Sequence, residues 1–352
     1  MFFNHNKETC MEREISEQPE ILRKIIETSI DNERNIIFDI PADANKFILV
    51  ASGSSYNSAR FAADFFGNTA NIEARAIYSS EFLLKSAVPY AENLLYIFIT
   101  QSGETSDTNK ALKKAKKFGV RTLCITNKKN STIWNESDFK VDCSAGEEKS
   151  IAATKSLTAQ MLCLTLIVLK YAKIKGIDIS DYLDDLTRLP ECVTGTLNLR
   201  HKIKKLAKFT VKYKNTVITA DGISYAIARE ACLKIKETSY LNVTASILGE
   251  FMHGHAAILN NKSVLIYINA GTLSTAAEKN LNKLNEEYNS PICIIGRTNN
   301  NIKTQYNIDI KEKSEFLKLF AIIILCQMLA LETALSLHRN VDKPKGLHKV
   351  VI

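Results

Sequence analysis

Residues 47–60 read FILVASGSSYNSAR, and residues 216–229 read TVITADGISYAIAR. At an offset of 169 residues, Gly53 falls on Gly222, Ser55 on Ser224, Tyr56 on Tyr225, Ala59 on Ala228 and Arg60 on Arg229. A later pair keeps the register, with TLCI at 122–125 against PICI at 291–294. Similarity between low-complexity stretches would not hold one register over about 70 residues, so the chain reads as two copies of one domain.

Each copy alternates short apolar, β-rich runs with helical patterns. The strands are expected at 47–50, 94–99 and 122–126, and again at 216–219, 264–268 and 292–295. Runs apolar on both faces, with segments of helical period between them, indicate a parallel sheet covered by helices. The expectation is an α/β protein of two tandem three-layer domains. A helical segment occupies 1–36, the first domain 37–180, the second 195–340, and a tail 341–352. Pro19 sits where a helix begins, and Ile21, Leu22, Ile25 and Ile26 share one face of that helix. Gly53 and Gly222 follow the first strand of each copy, at carboxyl ends where open α/β sheets bind ligands.

The composition narrows the class. With 352 residues, two domains of ~150 residues each are the natural division. A hydrophobic share of 45% with 24% charged residues excludes a wholly disordered or collagen-like chain. The net charge of +8 is spread in small clusters, and an anionic small molecule accounts for it as readily as nucleic acid does. No nucleic-acid-binding module flanks the repeats, so no nucleic-acid partner is expected. The eight cysteines form no CxxC pair and several lie in apolar runs, which reads as reduced thiols rather than a disulfide frame or a zinc site. The N-terminus lacks an apolar signal region. The apolar stretches 161–169 and 319–326 are too short to span a bilayer, so no membrane partner is expected and the location is read as cytoplasmic.

Several motifs bear chemistry. Thr100-Gln-Ser-Gly-Glu-Thr105 follows a strand and precedes a polar helix, so its hydroxyls and free backbone N–H groups suit a phosphate. A capping turn without ligand has the same sequence. The turn 52–55, Ser-Gly-Ser-Ser, adds hydroxyls from a neighbouring strand end, and neither turn has the spacing of a dinucleotide or P-loop motif. Glu237 lies three residues after Lys234 on one helix face, which fits a tuned general base or an ordinary surface ion pair. His253 and His255 with Glu250 match no common zinc pattern, so no metal is expected. His253 reads either as a proton shuttle or as a structural residue. Lys349 in the tail has nothing local to distinguish it from a solvated lysine.

Taken together, seven motifs in one order resemble the SIS (sugar isomerase) family with tandem domains. They are Glu17-Gln-Pro19, SGSSYNS (52–58), TQSGET (100–105), SIAATKSLTAQ (150–160), LKIKETSY (233–240), GEFMHG (249–254) and DKPKGLHK (342–349). The nearest likeness is to the isomerase half of glutamine–fructose-6-phosphate amidotransferases and to stand-alone amino-sugar-phosphate deaminases.

The resemblance implies two flavodoxin-like domains, a tail over the active site, an open-chain hexose 6-phosphate substrate and no cofactor. By position, Gly53, Ser54, Ser55, Thr100, Gln101, Ser102 and Thr105 match residues that cradle the phosphate and sugar hydroxyls, and Ile151, Lys234 and His348 border the sugar. Glu237 matches the base acting between C1 and C2. His253 matches the ring-opening histidine, which reaches the partner's site in a homodimer, and Lys349 matches a Schiff-base lysine. The SIS motifs begin almost at once, so no glutaminase domain is expected. Ala153 and His255 depart from the serine and proline usual in the synthases. The implied function is an isomerase and deaminase of an amino-sugar or fructosamine 6-phosphate. The alternatives are a simple hexose-phosphate isomerase and a non-catalytic sugar-phosphate-binding regulator. Copy two carries Asn269-Ala-Gly-Thr-Leu in place of the hydroxyl-rich turn, so one phosphate site per chain is expected, in copy one.

Overall fold

The computed structural model describes residues 8–297 and 301–349. Strands β1 (Lys46–Ala51), β2 (Glu73–Tyr78), β3 (Leu94–Thr100), β4 (Arg121–Thr126) and β5 (Phe139–Asp142) form one sheet in the order β2-β1-β3-β4-β5. Strands β6 (Asn215–Ala220), β7 (Val243–Ile247), β8 (Ser263–Asn269), β9 (Ile292–Gly296) and β10 (Tyr306–Ile308) form a second, in the order β7-β6-β8-β9-β10. All neighbouring pairs are parallel. This is the flavodoxin-like order, in which the chain steps out from its first strand to one edge and then returns past it. The direction of winding therefore switches between β1 and β3, and between β6 and β8.

The internal repeat holds in three dimensions. β1 maps onto β6 and β3 onto β8 at the same offset of 169 residues. Gly53 and Gly222 both turn through left-handed backbone, with φ of 57° and 53°. The central strands β3 and β8 are buried at every position, because helices cover both faces and leave no solvent side to alternate with. On one face of the first sheet Phe47 stacks on Phe66 with ring centroids 4.3 Å apart, and Tyr171 packs beside them. On the other, Tyr96 and Phe98 pack with Phe82, Leu112 and Ile133.

By contacts the chain divides into two units. The first contains the first sheet and comprises Glu17–Glu148, Ala153–Arg188 and the tail from His348. The second contains the second sheet and comprises the described residues up to Ser16, Lys149–Ala152 and Leu189–Leu347. Both terminal segments are thereby shared: helix Cys10–Ser16 belongs to the second unit, and helix Gln18–Ser29, with Pro19 in its first turn, to the first.

One expectation is corrected. The apolar runs 161–169 and 319–326 lie within helices Lys155–Ile174 and Glu315–Ser336, of 20 and 22 residues, which are long and apolar enough to cross a membrane. Their windows are 83% and 89% buried by protein, and this burial accounts for their apolar character. They also carry Gln160, Lys318, Gln327 and Glu332 in buried positions, which is why the apolar runs alone understate their length. Six of the eight cysteines are buried, and desolvation pushes the thiols of Cys232 and Cys293 up to about 12.

Candidate functional site

In the first unit, the ends of β1 and β3 carry two helix starts. Ser52 caps helix Gly53–Phe65 and Thr105 caps helix Ser106–Lys117, yet neither side chain is spent on its own helix. The first backbone N–H groups of both helices therefore receive no side-chain cap from these residues and face the strand ends, where an anion is favoured. Thr100, 3% exposed, lies at the end of β3 with its Oγ1 2.8 Å from Thr105 Oγ1. Ser55 is buried one turn into its helix, and its carbonyl accepts the Ser58 hydroxyl. The Gln101 carbonyl takes the Asn127 N–H at 3.2 Å, which ties this loop to the end of β4. The Ser102 hydroxyl accepts the Glu104 N–H. β1 and β3 are hydrogen-bonded neighbours, so Gly53, Ser54, Ser55, Thr100, Gln101, Ser102 and Thr105 all stand at one switch point of one sheet.

Gly103 is required by packing inside the fold. At φ 68°, a Cβ on it would lie 2.0 Å from Ser131 Oγ, so the glycine admits the loop that follows β4. Glu104 reaches the same loop, accepting from Thr132 N at 2.8 Å and Thr132 Oγ1 at 2.7 Å. Those two bonds hold the Glu104 carboxyl below its ordinary value. The acidic residue of TQSGET is therefore structural.

The tail places Lys349 in this unit, with its Nζ 2.6 Å from Glu148 Oε2. Glu148 has no exposed side-chain surface and also accepts from Thr154 N, Ser156 N and Ser156 Oγ at 2.9, 3.1 and 2.7 Å. Burial by itself would raise this carboxyl. The Lys349 ammonium and the Ser156 and Thr154 donors outweigh it and hold the group below its ordinary value. His348, beside Lys349, is exposed.

The second unit holds the remaining candidates. Helix Ser224–Ser239 carries Glu230, Lys234 and Glu237 along one face. Lys234 is 1% exposed, pairs with Glu237 Oε2 and lies 3.6 Å from Glu230 Oε1. The pair is thus no ordinary surface pair: the lysine is enclosed, and Glu237 keeps 23% of its side chain open. The helix ends at Tyr240 in left-handed backbone, whose hydroxyl accepts the Lys345 N–H at 2.6 Å. The Arg339 guanidinium lies over the Tyr240 ring at 5.4 Å. Ile151 donates its N–H to the Asp342 carbonyl at 3.3 Å. The Asp342 carboxylate accepts the N–H groups of Cys10 and Met11 at 2.8 and 2.9 Å. Glu14, buried, accepts from the 149–150 backbone and the Ser150 hydroxyl. His253 is exposed in a tight turn before Gly254, which has φ 97°.

The corresponding crevice of the second sheet is occupied by its own side chains. Tyr267 donates its hydroxyl to Asp221 at 3.1 Å, Asn269 bonds the carbonyls of Gly271 and Arg297, and a Cβ on Gly271 would meet Glu315 Oε1 at 2.9 Å. Among the described residues no group of three or more His, Cys, Asp or Glu side chains could hold a metal ion.

The first unit thus gathers the hydroxyl residues at one switch point and pairs Lys349 with Glu148. The second gathers Lys234 and Glu237, with Ile151 tied to the tail and His253 exposed elsewhere on it. Sequence reasoning missed Glu148, Glu230, Glu14 and Asp342. Glu230 had a usable signal, standing four residues before Lys234 on the same face. Asp342 lay within a quoted motif. Glu148 had none, since Glu147 and Glu148 look alike in sequence and only Glu148 is buried.

Comparison with known proteins agrees with this architecture. The SIS domain model matches residues 42–170 and again 211–337. A glutamine–fructose-6-phosphate aminotransferase (isomerizing) of Fusobacterium nucleatum is 32% identical over 97% of this chain and 58% of its own length. That of Methanococcus maripaludis is 32% identical over 98% of this chain and 57% of its own. The chain therefore spans a little over half the length of these relatives. The C-terminal domain of glucosamine-fructose-6-phosphate aminotransferase from Francisella tularensis superposes with a TM-score of 0.90 at 27% identity, covering 96% of this chain and 99% of that one. A glucosamine-6-phosphate deaminase from Thermotoga maritima shares the fold, with a TM-score of 0.78 at 21% identity over 97% of this chain and 99% of its own.

Proposed function

The chain belongs to the SIS domain family, and on that premise we propose that it acts on an amino-sugar or fructosamine 6-phosphate, shifting a proton between C1 and C2 and releasing ammonia or an amine. The observation that carries the reading is that two helices begin at the β1/β3 switch point, with neither the Ser52 nor the Thr105 side chain capping its own helix and the Thr105 hydroxyl bonded to Thr100. That arrangement suits a phosphate dianion, which the dipoles and hydroxyls hold while the sugar extends away.

In this reading the Glu237 carboxylate takes the proton from one carbon and returns it to the neighbour through an enediol or enolamine. The enclosed Lys234 orients Glu237 through their ion pair. Water then adds to the resulting imine and nitrogen leaves. Exposed His253 fits delivery to a second subunit, where it assists ring opening in a homodimer. Lys349 contributes a fixed positive charge while Glu148 holds it. To attack a ketose carbonyl as a free amine it first passes a proton to that carboxylate.

The test is nitrogen release from glucosamine 6-phosphate, galactosamine 6-phosphate and fructosamine 6-phosphates, with Glu237→Gln alongside. Release that the variant cuts by about 10²-fold or more supports the reading. Exchange of glucose 6-phosphate with fructose 6-phosphate and no nitrogen release moves it to a simple isomerase. Binding without turnover of any of them identifies a non-catalytic sugar-phosphate-binding protein.

A further inference from the structure

The second unit contains an open cavity of about 1150 Å³, formed by helix Arg200–Thr210, the end of helix Glu315–Ser336 and the segment 338–343. No hydroxyl-rich strand end and none of Lys234, Glu237, His253 or Lys349 lines it. We propose that this cavity is a second ligand site, for a phosphorylated small molecule carrying two or more negative charges.

The charges in the wall carry the argument. Of its carboxylates, Glu332 is taken up by Arg200, whose Nε lies 2.7 Å from Glu332 Oε1, and Glu12 pairs with the same guanidinium. Asp342 is committed to the N–H groups of Cys10 and Met11. Glu8 is the remaining carboxylate among the lining residues.

Against it stand Lys204, Lys208, Arg339 and Lys343, with no carboxylate within ion-pair distance among the described residues. Lys204 and Lys208 are one turn apart on one helix and face the same way. Arg339 is held in place by its stack on Tyr240. These four cations are exposed around one cavity, where their charges sum to a positive field that attracts an anion, and a polyphosphate spans two or more of them at once. The volume exceeds the roughly 300–1,000 Å³ of common small-molecule sites, which leaves room for a sugar or nucleoside diphosphate. Among the described residues no Phe, Tyr or Trp lines the cavity, and His338 is the ring present there, so recognition rests mainly on the charged groups.

Calorimetric titration of inorganic triphosphate into the full chain tests this. Binding is expected for the unmodified protein, with Kd raised about tenfold or more by Lys204→Ala/Lys208→Ala. The Lys204→Arg/Lys208→Arg protein, which keeps both charges, is expected to bind. Thr105→Val, at the strand-end site of the first unit, is expected to leave this affinity unchanged. No triphosphate binding at low salt overturns the proposal. So does binding that Thr105→Val abolishes and the lysine variants do not touch, and so does capture of a polyglutamate peptide by a protein that ignores triphosphate.

Discussion

Lys349 Nζ lies 2.6 Å from Glu148 Oε2, across 201 residues of chain, and the carboxylate it meets has no exposed side-chain surface. A buried carboxylate tolerates ionisation only where donors and a counter-charge surround it. Glu148 has three donor groups from Thr154 and Ser156 besides the lysine, so the end of the tail and the start of helix Lys155–Ile174 share one anchor.

The first prediction concerns pH. Glu148 is held below the ordinary glutamate value of 4.5 in the folded protein. Its contribution to stability is therefore fully present above about pH 4.5 and is lost as pH falls through the folded pKa. Lys349→Ala removes the counter-charge, raises that pKa and costs about 2 kcal/mol near neutrality, the remaining donors limiting the loss. Urea unfolding measured from pH 3 to 7 checks both; a variant with the parent's pH profile would contradict the coupling.

Gly103 and Gly53 separate strain from crowding. Both have positive φ, but a Cβ on Gly53 meets nothing within 4 Å, whereas one on Gly103 runs into Ser131. Gly53→Ala is expected to cost about 1 kcal/mol from backbone strain alone. Gly103→Ala adds a collision and is expected to cost about 3 kcal/mol. Thermal unfolding of the two variants ranks them.

Thr105→Val removes the hydroxyl bonded to Thr100 while keeping the shape. If the β1/β3 switch point binds phosphate, the variant loses about tenfold in affinity for the sugar phosphate, since a hydrogen bond to a charged group contributes roughly 1.5–3 kcal/mol. Titration with a hexose 6-phosphate reads this directly, and equal affinity would remove the hydroxyl from the site.

Tyr240→Phe deletes the acceptor of the Lys345 N–H and leaves the ring under Arg339. The loss is expected to be about 1 kcal/mol, localised to the tail. Limited proteolysis should cut near residue 345 several-fold faster while global unfolding barely moves. A uniform loss of stability would instead assign the phenol to the core of the unit.

How far the sequence could be read follows the sheet from centre to edge. β1, β3, β4, β6, β8 and β9 were located to within a residue or two, because interior strands are continuous apolar runs. β2, β5, β7 and β10 were not identified. They are outer strands, short or partly exposed, and EARAIY or VTASI resembles many loops. The hydroxyl turns were legible for the same reason as the interior strands: each follows one of them directly.

By itself, the sequence determined the doubled α/β architecture, the register of 169 residues between the copies, and the turns at Gly53 and Gly222. These depend on the order of residues along a few turns and strands, and local sterics and apolar pattern suffice to specify them. Only the tertiary structure decided that Glu148 is enclosed while Glu147 is exposed, that Lys234 is buried between two carboxylates, and that Lys349 meets Glu148. Burial and charge pairing are properties of segments far apart in the chain, and neighbouring residues along it carry no record of which distant surface will cover them.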